Sequence, residues 1–138
     1  MLTLIEQLQA GTAIETEQDH SLATIAPKLS RQTAQIDWSK PATAIVRQIN
    51  GLSPWPGCRV TLLDGESAVA TVTLVRARPG ATESANTPGT ITADGSIACG
   101  DGGTVEILEI QPEGKRPMRL ADFRNGRPWH AGMHLSSV

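Results

Sequence analysis

Three aspartate-glycine turns punctuate the middle of this chain: Asp64-Gly65, Asp94-Gly95 and Asp101-Gly102-Gly103. Asp-Gly provides adjacent positions that tolerate positive φ, which a two-residue connection between antiparallel strands requires. "CRVTLL" and "AVATVTLVRA" are therefore joined as a hairpin, "GTIT" and "SIACG" straddle the second turn, and "TVEILEI" follows the third. In the last run the apolar phase slips, with Val105 and Ile107 on one face and Leu108 and Ile110 on the other. A bulge or burial on both faces produces such a slip, and small barrels use bulges to curve. With no long crossovers, the pattern predicts a mainly β fold: five strands in a small, partly open barrel with one embedded helix and short terminal helices.

The embedded helix lies within "AQIDWSKPATAIVRQINGLSPWPG". Ile36 and Trp38 share a strand-like phase, Ser39 is placed to act as N-cap, and Pro41 sits in the tolerated first turn. Ala42, Ile45, Val46 and Ile49 make one apolar face, with Lys40, Thr43 and Arg47 opposite. Gly51 ends the helix and "PWPG" cannot continue it. The chain has no tyrosine and one phenylalanine, yet two of its three tryptophans, Trp38 and Trp55, flank this helix. Both are expected to pack in a core or an interface.

At the start, "LTLIEQLQAG" places Leu2, Ile5 and Leu8 at helical spacing with Leu4 beside them and Gly11 as a stop. No cap precedes it, as in the last turns of a helix cut into. A polar connector follows, then "ATIAPKLS", held extended by Pro27. "RLADFRNG" predicts a short helix with Leu120 and Phe123 on one side. The boundaries drawn are 1–11 for the first helix, 12–33 for a linker, 34–126 for the barrel and 127–138 for a tail.

A chain of 138 residues is one domain's worth, able to bury roughly two-thirds of its unfolded surface. No run approaches the ~20 apolar residues of a membrane span, and no signal-peptide succession opens it. Cys58 and Cys99 stand isolated, which predicts a reducing, cytoplasmic compartment, although the two could still pair. Catalytic patterns are missing: no G-x-S-x-G elbow, no nucleophile with an obvious base, no paired carboxylates. "GDGGTV" lacks the third glycine of a dinucleotide loop and runs into a strand. His130 and His134 have the spacing of a helical metal pair, but Gly132 and Pro128 oppose a helix and two histidines make a poor zinc site. The chain alone is read as non-catalytic, with no metal.

The net charge of −2 is unevenly spread. Residues 1–20 carry Glu6, Glu15, Glu17 and Asp19 without a lysine or arginine; residues 115–127 carry Lys115, Arg116, Arg119, Arg124 and Arg127 against Asp122. Lys40 and Arg47 share a helix face, and Arg76 and Arg78 share the end of a strand. Such groups suit phosphate oxygens. With no aromatics interleaved among them, recognition of the backbone and shape of a folded RNA is expected rather than base stacking or sequence readout.

Taken in order, "ATIAPKLSRQTAQIDWSKPATAIVRQINGLSPWPG", "PGTI", "ACGDG" and "EIQPEGKRPMRLADFRNG" resemble the C-terminal domain of bacterial methionyl-tRNA formyltransferases, including its "IDW" and "PWPG" elements. Ser53 stands where that family has asparagine before "PWP". The resemblance implies a two-domain enzyme that formylates the methionine on initiator tRNA from 10-formyltetrahydrofolate. Its catalytic domain, with an Asn-His-Asp set, is absent from this chain, so no catalytic residue or cofactor is expected here. Residues 1–11 resemble that domain's last helix and 12–33 its linker. The remainder resembles an OB-like barrel that helps to hold the tRNA. The implied phosphate contacts are Lys28, Arg31, Lys40, Arg47, Arg59, Arg76, Lys115, Arg116 and Arg119. The expected partners are initiator tRNA, and a catalytic domain or a second copy docked on Leu2, Ile5 and Leu8, with no membrane. The alternative is an architectural or protein-interaction domain of a related folate-dependent formyltransferase that does not bind RNA.

Overall fold

A computed structural model describes residues 2–138, and of Leu2 the backbone alone. A tight turn forms at the expected place but one residue later than read: Asp64 pairs with Ser67 in the ladder, and Gly65, at φ +60, and Glu66 join β1 (Cys58–Asp64) to β2 (Ser67–Pro79). On its other edge β2 pairs with β4 (Thr104–Pro112), which also carries β3 (Ile97–Ala98) and β5 (Met118–Arg119). The phase slip read in "TVEILEI" is a real irregularity. The β2–β4 ladder steps from Leu74↔Ile110 to Arg76↔Glu109 and then to Ala77↔Ile107, so that Val75 and Leu108 fall out of register. The sheet bends there, and Val105, Ile107 and Ile110 all reach the core while Leu108 stays partly exposed.

A sixth strand, β6 (His134–Ser137), pairs with the free edge of β1, giving the order β3-β4-β2-β1-β6. It comes from the segment expected to be a tail, and the expectation of five strands is corrected accordingly. Leu135 lies opposite Leu62 in the ladder, and Trp129, Met133 and Leu135 are all buried. The Trp129 indole donates to the Gly95 carbonyl at 3.0 Å and meets Phe123 edge-on at 6.4 Å. Segment 89–92 then links the two outer strands. Leu135 N–H donates to Gly89 O and Ile91 N–H to Met133 O on one side, and Ala98 N–H donates to Thr90 O on the other. The antiparallel sheet is thus a curled half-barrel whose opening is bridged by this segment.

Helix α2 (Ala42–Gly51) lays Ala42, Ile45, Val46 and Ile49 against β2 and β4. Its cap differs from the one expected. The Ser39 hydroxyl turns back to Asp37 at 2.6 Å, and the carboxylate of Asp101, from the turn before β4, accepts the Ala42 N–H at 3.3 Å instead. Asp101 also accepts from Gly103 N–H at 3.0 Å. Beside it, Gly100 N–H donates to the Trp38 carbonyl at 2.9 Å. The backbones are so close that a Cβ on Gly100 would lie 1.8 Å from Ser39 O. Ile36 N–H donates to the Ser137 hydroxyl at 2.6 Å. The stretch before α2 therefore ties the β3–β4 turn to β6. Trp38 is buried within it, its indole N–H unpaired, so that its side chain is held by packing.

Helix α3 (Leu120–Arg124) buries Leu120 and Phe123. Helix α1 (Leu2–Gln9) stands apart from the barrel, with Leu4, Ile5 and Leu8 about half exposed; the side chain of Leu2 lies outside the described residues. From residue 3 to residue 33 every residue except Ala13 is exposed. Cys58 and Cys99 are buried free thiols. Burial pushes Cys58 up to about 11, and burial together with the nearby Asp101 charge pushes Cys99 up to about 12. Among the described residues no helix is long and apolar enough to cross a membrane.

Candidate nucleic-acid interface

The fold distributes the nine basic candidates over three settings. Lys115 and Arg116 occupy the exposed turn between β4 and β5, where the Gln111 side chain holds the Lys115 carbonyl at 2.9 Å. Arg119 ends β5 in register with Glu109, whose other neighbour across the ladder is Arg76. Two arginines from separate strands thus flank one carboxylate, and Arg76 approaches it at 3.7 Å. Arg119 and Arg124 line one groove with Asp94. Among the described residues Lys115, Arg116 and Arg119 form no ion pair with a carboxylate.

The second setting is a cleft that the sequence does not announce. Arg31, from the turn before residues 32–34, and Arg59, from β1, converge on Trp55 and Pro56. Trp55 is 65 % exposed, so of the two settings expected for it, a core or an interface, the core is excluded. Its flanking prolines, both in cis, leave α2 and carry the chain to Gly57, whose φ of +76 and close approach to the Thr73 methyl (a Cβ would lie at 3.0 Å) turn it into β1. Arg59 is held by Glu113 at 2.8 Å. It also borders the groove over Thr71, Gln111 and Gly114, so the cleft and the Lys115 turn are connected through it.

In the third setting, Lys28, Lys40 and Arg47 are exposed but separate, on the linker, the turn before α2 and α2 itself. Arg78, beside Arg76 on the exposed side of β2, is taken up by a bidentate pair with Glu106 at 2.7 and 2.9 Å. Exposed ion pairs of this kind contribute ~0–1 kcal/mol, weak enough for a phosphate to displace. Sequence reasoning missed these cross-strand carboxylates because it does not carry strand register. His130 approaches Asp64 at 3.4 Å as an exposed pair, and His134 lies in β6. Among the described residues no group of three or more potential ligands could hold a metal.

A curled antiparallel half-barrel with an embedded helix, carrying an exposed turn in which Glu113 stands beside Lys115 and Arg116, is the architecture of this domain. The chain belongs to the formyl transferase C-terminal domain family, whose pattern matches residues 28–128. It is similar to methionyl-tRNA formyltransferases of Rhodopseudomonas palustris (39 % identical over 93 % of this chain and 40 % of that one) and Solibacter usitatus (37 % over 87 % and 37 %). With the methionyl-tRNA formyltransferase of Cereibacter sphaeroides the identity is 47 % over 79 % of this chain and 33 % of that one. The chain spans about two-fifths or less of the length of these relatives.

Proposed function

We propose that this chain is the RNA-holding, non-catalytic part of a methionyl-tRNA formyltransferase, acting in translation initiation by binding initiator tRNA through its phosphates. The supporting observation is the exposed turn at Lys115 and Arg116, continued by Arg119 beside Glu109, where among the described residues three cations form no ion pair in an otherwise mildly acidic chain. Phosphate oxygens are the complementary ligand, and the remaining candidates, Lys28, Arg31, Lys40, Arg47, Arg59 and Arg76, extend the contact surface around it. Residues 1–11 are then the last helix of a catalytic domain, 12–33 a linker that lets the barrel follow the RNA, and the apolar side of α1 the place where that domain docks. Among the described residues no surface groove brings an asparagine, a histidine and an aspartate together, and the His130–Asp64 pair is exposed, so the residues here do not fit 10-formyltetrahydrofolate. The folate belongs to the catalytic half.

Titration of the chain against initiator and elongator tRNA at two salt concentrations tests this. Binding should fall steeply with salt, and replacing Lys115, Arg116 and Arg119 with glutamine should lower the salt slope by about one per residue. Equal affinity for both tRNAs would assign discrimination to the catalytic half. No binding at low salt would overturn the proposal in favour of an architectural domain.

A further inference from the structure

The cleft at Trp55 is built unlike the rest of the surface. In a chain with three tryptophans, one phenylalanine and no tyrosine, it exposes the one large aromatic ring that the core does not use. Trp38 and Trp129 are 7 % and 4 % exposed; Trp55 is 65 % exposed. Folding puts two arginines on the lining of the same cleft, Arg31 from 24 residues before the ring and Arg59 from four after it, the Arg59 guanidinium resting on Glu113 at 2.8 Å. The space between them is about 290 Å³, at the lower end of small-ligand clefts. Among the described residues the cation stacked on an aromatic ring is Arg127 on Phe123, and neither Arg31 nor Arg59 lies over Trp55.

An aromatic plane beside two cations matches a particular chemistry. An unpaired nucleotide presents a π-face and, one bond system away, two flanking phosphates. Single-stranded and looped RNA is recognised in this way, with the base stacked and the backbone tracked by basic groups. The cleft is also connected. Arg59 is shared with the groove that ends at Glu113 and Gly114, one residue from Lys115, so a strand seated on the basic turn and displacing Glu113 from Arg59 has a path to Trp55.

We infer that the Trp55 cleft is a subsite for one unstacked nucleotide of the bound RNA, with Trp55 stacking on its base and Arg31 and Arg59 contacting the adjoining phosphates. The inference rests on the RNA-binding function proposed above and adds to it a base-contacting site that phosphate recognition alone does not require. Glu113 is a gate on this site, because it occupies Arg59 until a phosphate replaces it.

The test uses the full chain, a tRNA transcript and a single-stranded RNA oligonucleotide. Since Trp55 is the exposed tryptophan, stacking should quench the protein's fluorescence and protect it from acrylamide. Trp55→Ala should weaken binding about 5- to 150-fold, the range for losing one base–aromatic stack, while leaving the salt slope unchanged. Trp55→Phe should retain most of the affinity and Trp55→Leu should not, which separates a π-face from apolar bulk. Arg31→Gln and Arg59→Gln should each lower the salt slope by about one, and Glu113→Gln should tighten binding. If Trp55→Ala binds tRNA as the parent does, the subsite is overturned while the proposed function stands. If the parent chain binds neither RNA at low salt, the RNA-binding function itself fails, and this inference with it.

Discussion

The side-chain amide of Asn50 holds both backbone polar groups of Ala77: its Nδ2 donates to the Ala77 carbonyl and its Oδ1 accepts the Ala77 N–H, each at 2.9 Å. The β1 ladder reaches only as far as the Cys58↔Leu74 pair, so β2 beyond Leu74 has no neighbour on that edge. Asn50, from the last turn of α2, stands in for the missing strand. The pairing needs one donor and one acceptor, which fixes the orientation of the amide. Asn50→Ala would leave two groups of a buried residue unpaired and should cost about 1–3 kcal/mol. Asn50→Asp should cost a similar amount, since it faces a carboxylate toward a carbonyl. Urea denaturation checks both, with a lower midpoint and an unchanged slope as the expected result.

Gly100 should tolerate no side chain. A Cβ there would meet Ser39 O at 1.8 Å and Ser39 Cα at 2.7 Å, all backbone with nowhere to move. Gly100→Ala should destabilise by about 3 kcal/mol or more through forced separation of the β3–β4 turn from the segment before α2. Gly51→Ala is the control. Its Cβ meets nothing within 4 Å and its backbone is helical, so it should stabilise by about 0.5–1 kcal/mol. Thermal melts of the two variants should move in opposite directions.

Asp94 should give the domain an acid-side loss of stability. Its carboxylate is lowered from 3.8 to about 2, chiefly by the Thr92 hydroxyl, then by the Thr82 hydroxyl at 2.8 Å and the Ser96 N–H at 3.1 Å. A folded value below the unfolded one means that the contribution is fully present above about pH 4 and disappears as the pH falls toward 2. Asp94→Asn should therefore be less stable than the parent at neutral pH, and the gap should close near pH 2. Denaturation midpoints measured from pH 7 to pH 2 would show the two curves converging.

Removing residues 127–138 should abolish the fold. The truncation takes Trp129, Met133 and Leu135 from the core and strips β1 of its outer neighbour. Burial of three large apolar side chains is worth about 5–9 kcal/mol, comparable with the whole stability of a domain this size. Loss of the cooperative transition in calorimetry is the expected outcome. Leu135→Asp, which leaves the backbone in place, should have nearly the same effect.

These features were unequally legible in the chain. The place of the first turn is legible from Gly65, although the loop is Gly65-Glu66 with Asp64 kept in the strand, and the slip at Leu108 announces the bulge through the sequence itself. The helical face of Ala42, Ile45, Val46 and Ile49 followed from its period. Strand β6 was invisible: "HLSS" has one apolar residue in four and earns its place only because β1 offers an edge and Leu62 a partner for Leu135. The α2 cap was misplaced to Ser39 because the group that caps it, Asp101, lies 59 residues from Ala42. The basic candidates were readable as residues and unreadable as a surface. Which of them meets a glutamate depends on register, and Arg31 reaches Trp55 only through the fold.

The closure of the barrel has a consequence for how the domain is made. Residues 134–137 leave the ribosome after every other strand, and until they do, β1 shows an unpaired edge and segment 89–92 lacks its Met133 and Leu135 bonds. A nascent chain stopped short of that point is a sheet with open sides, prone to pair with neighbours. The emergence of residues 134–137 is thus also the step that covers the sheet's open side.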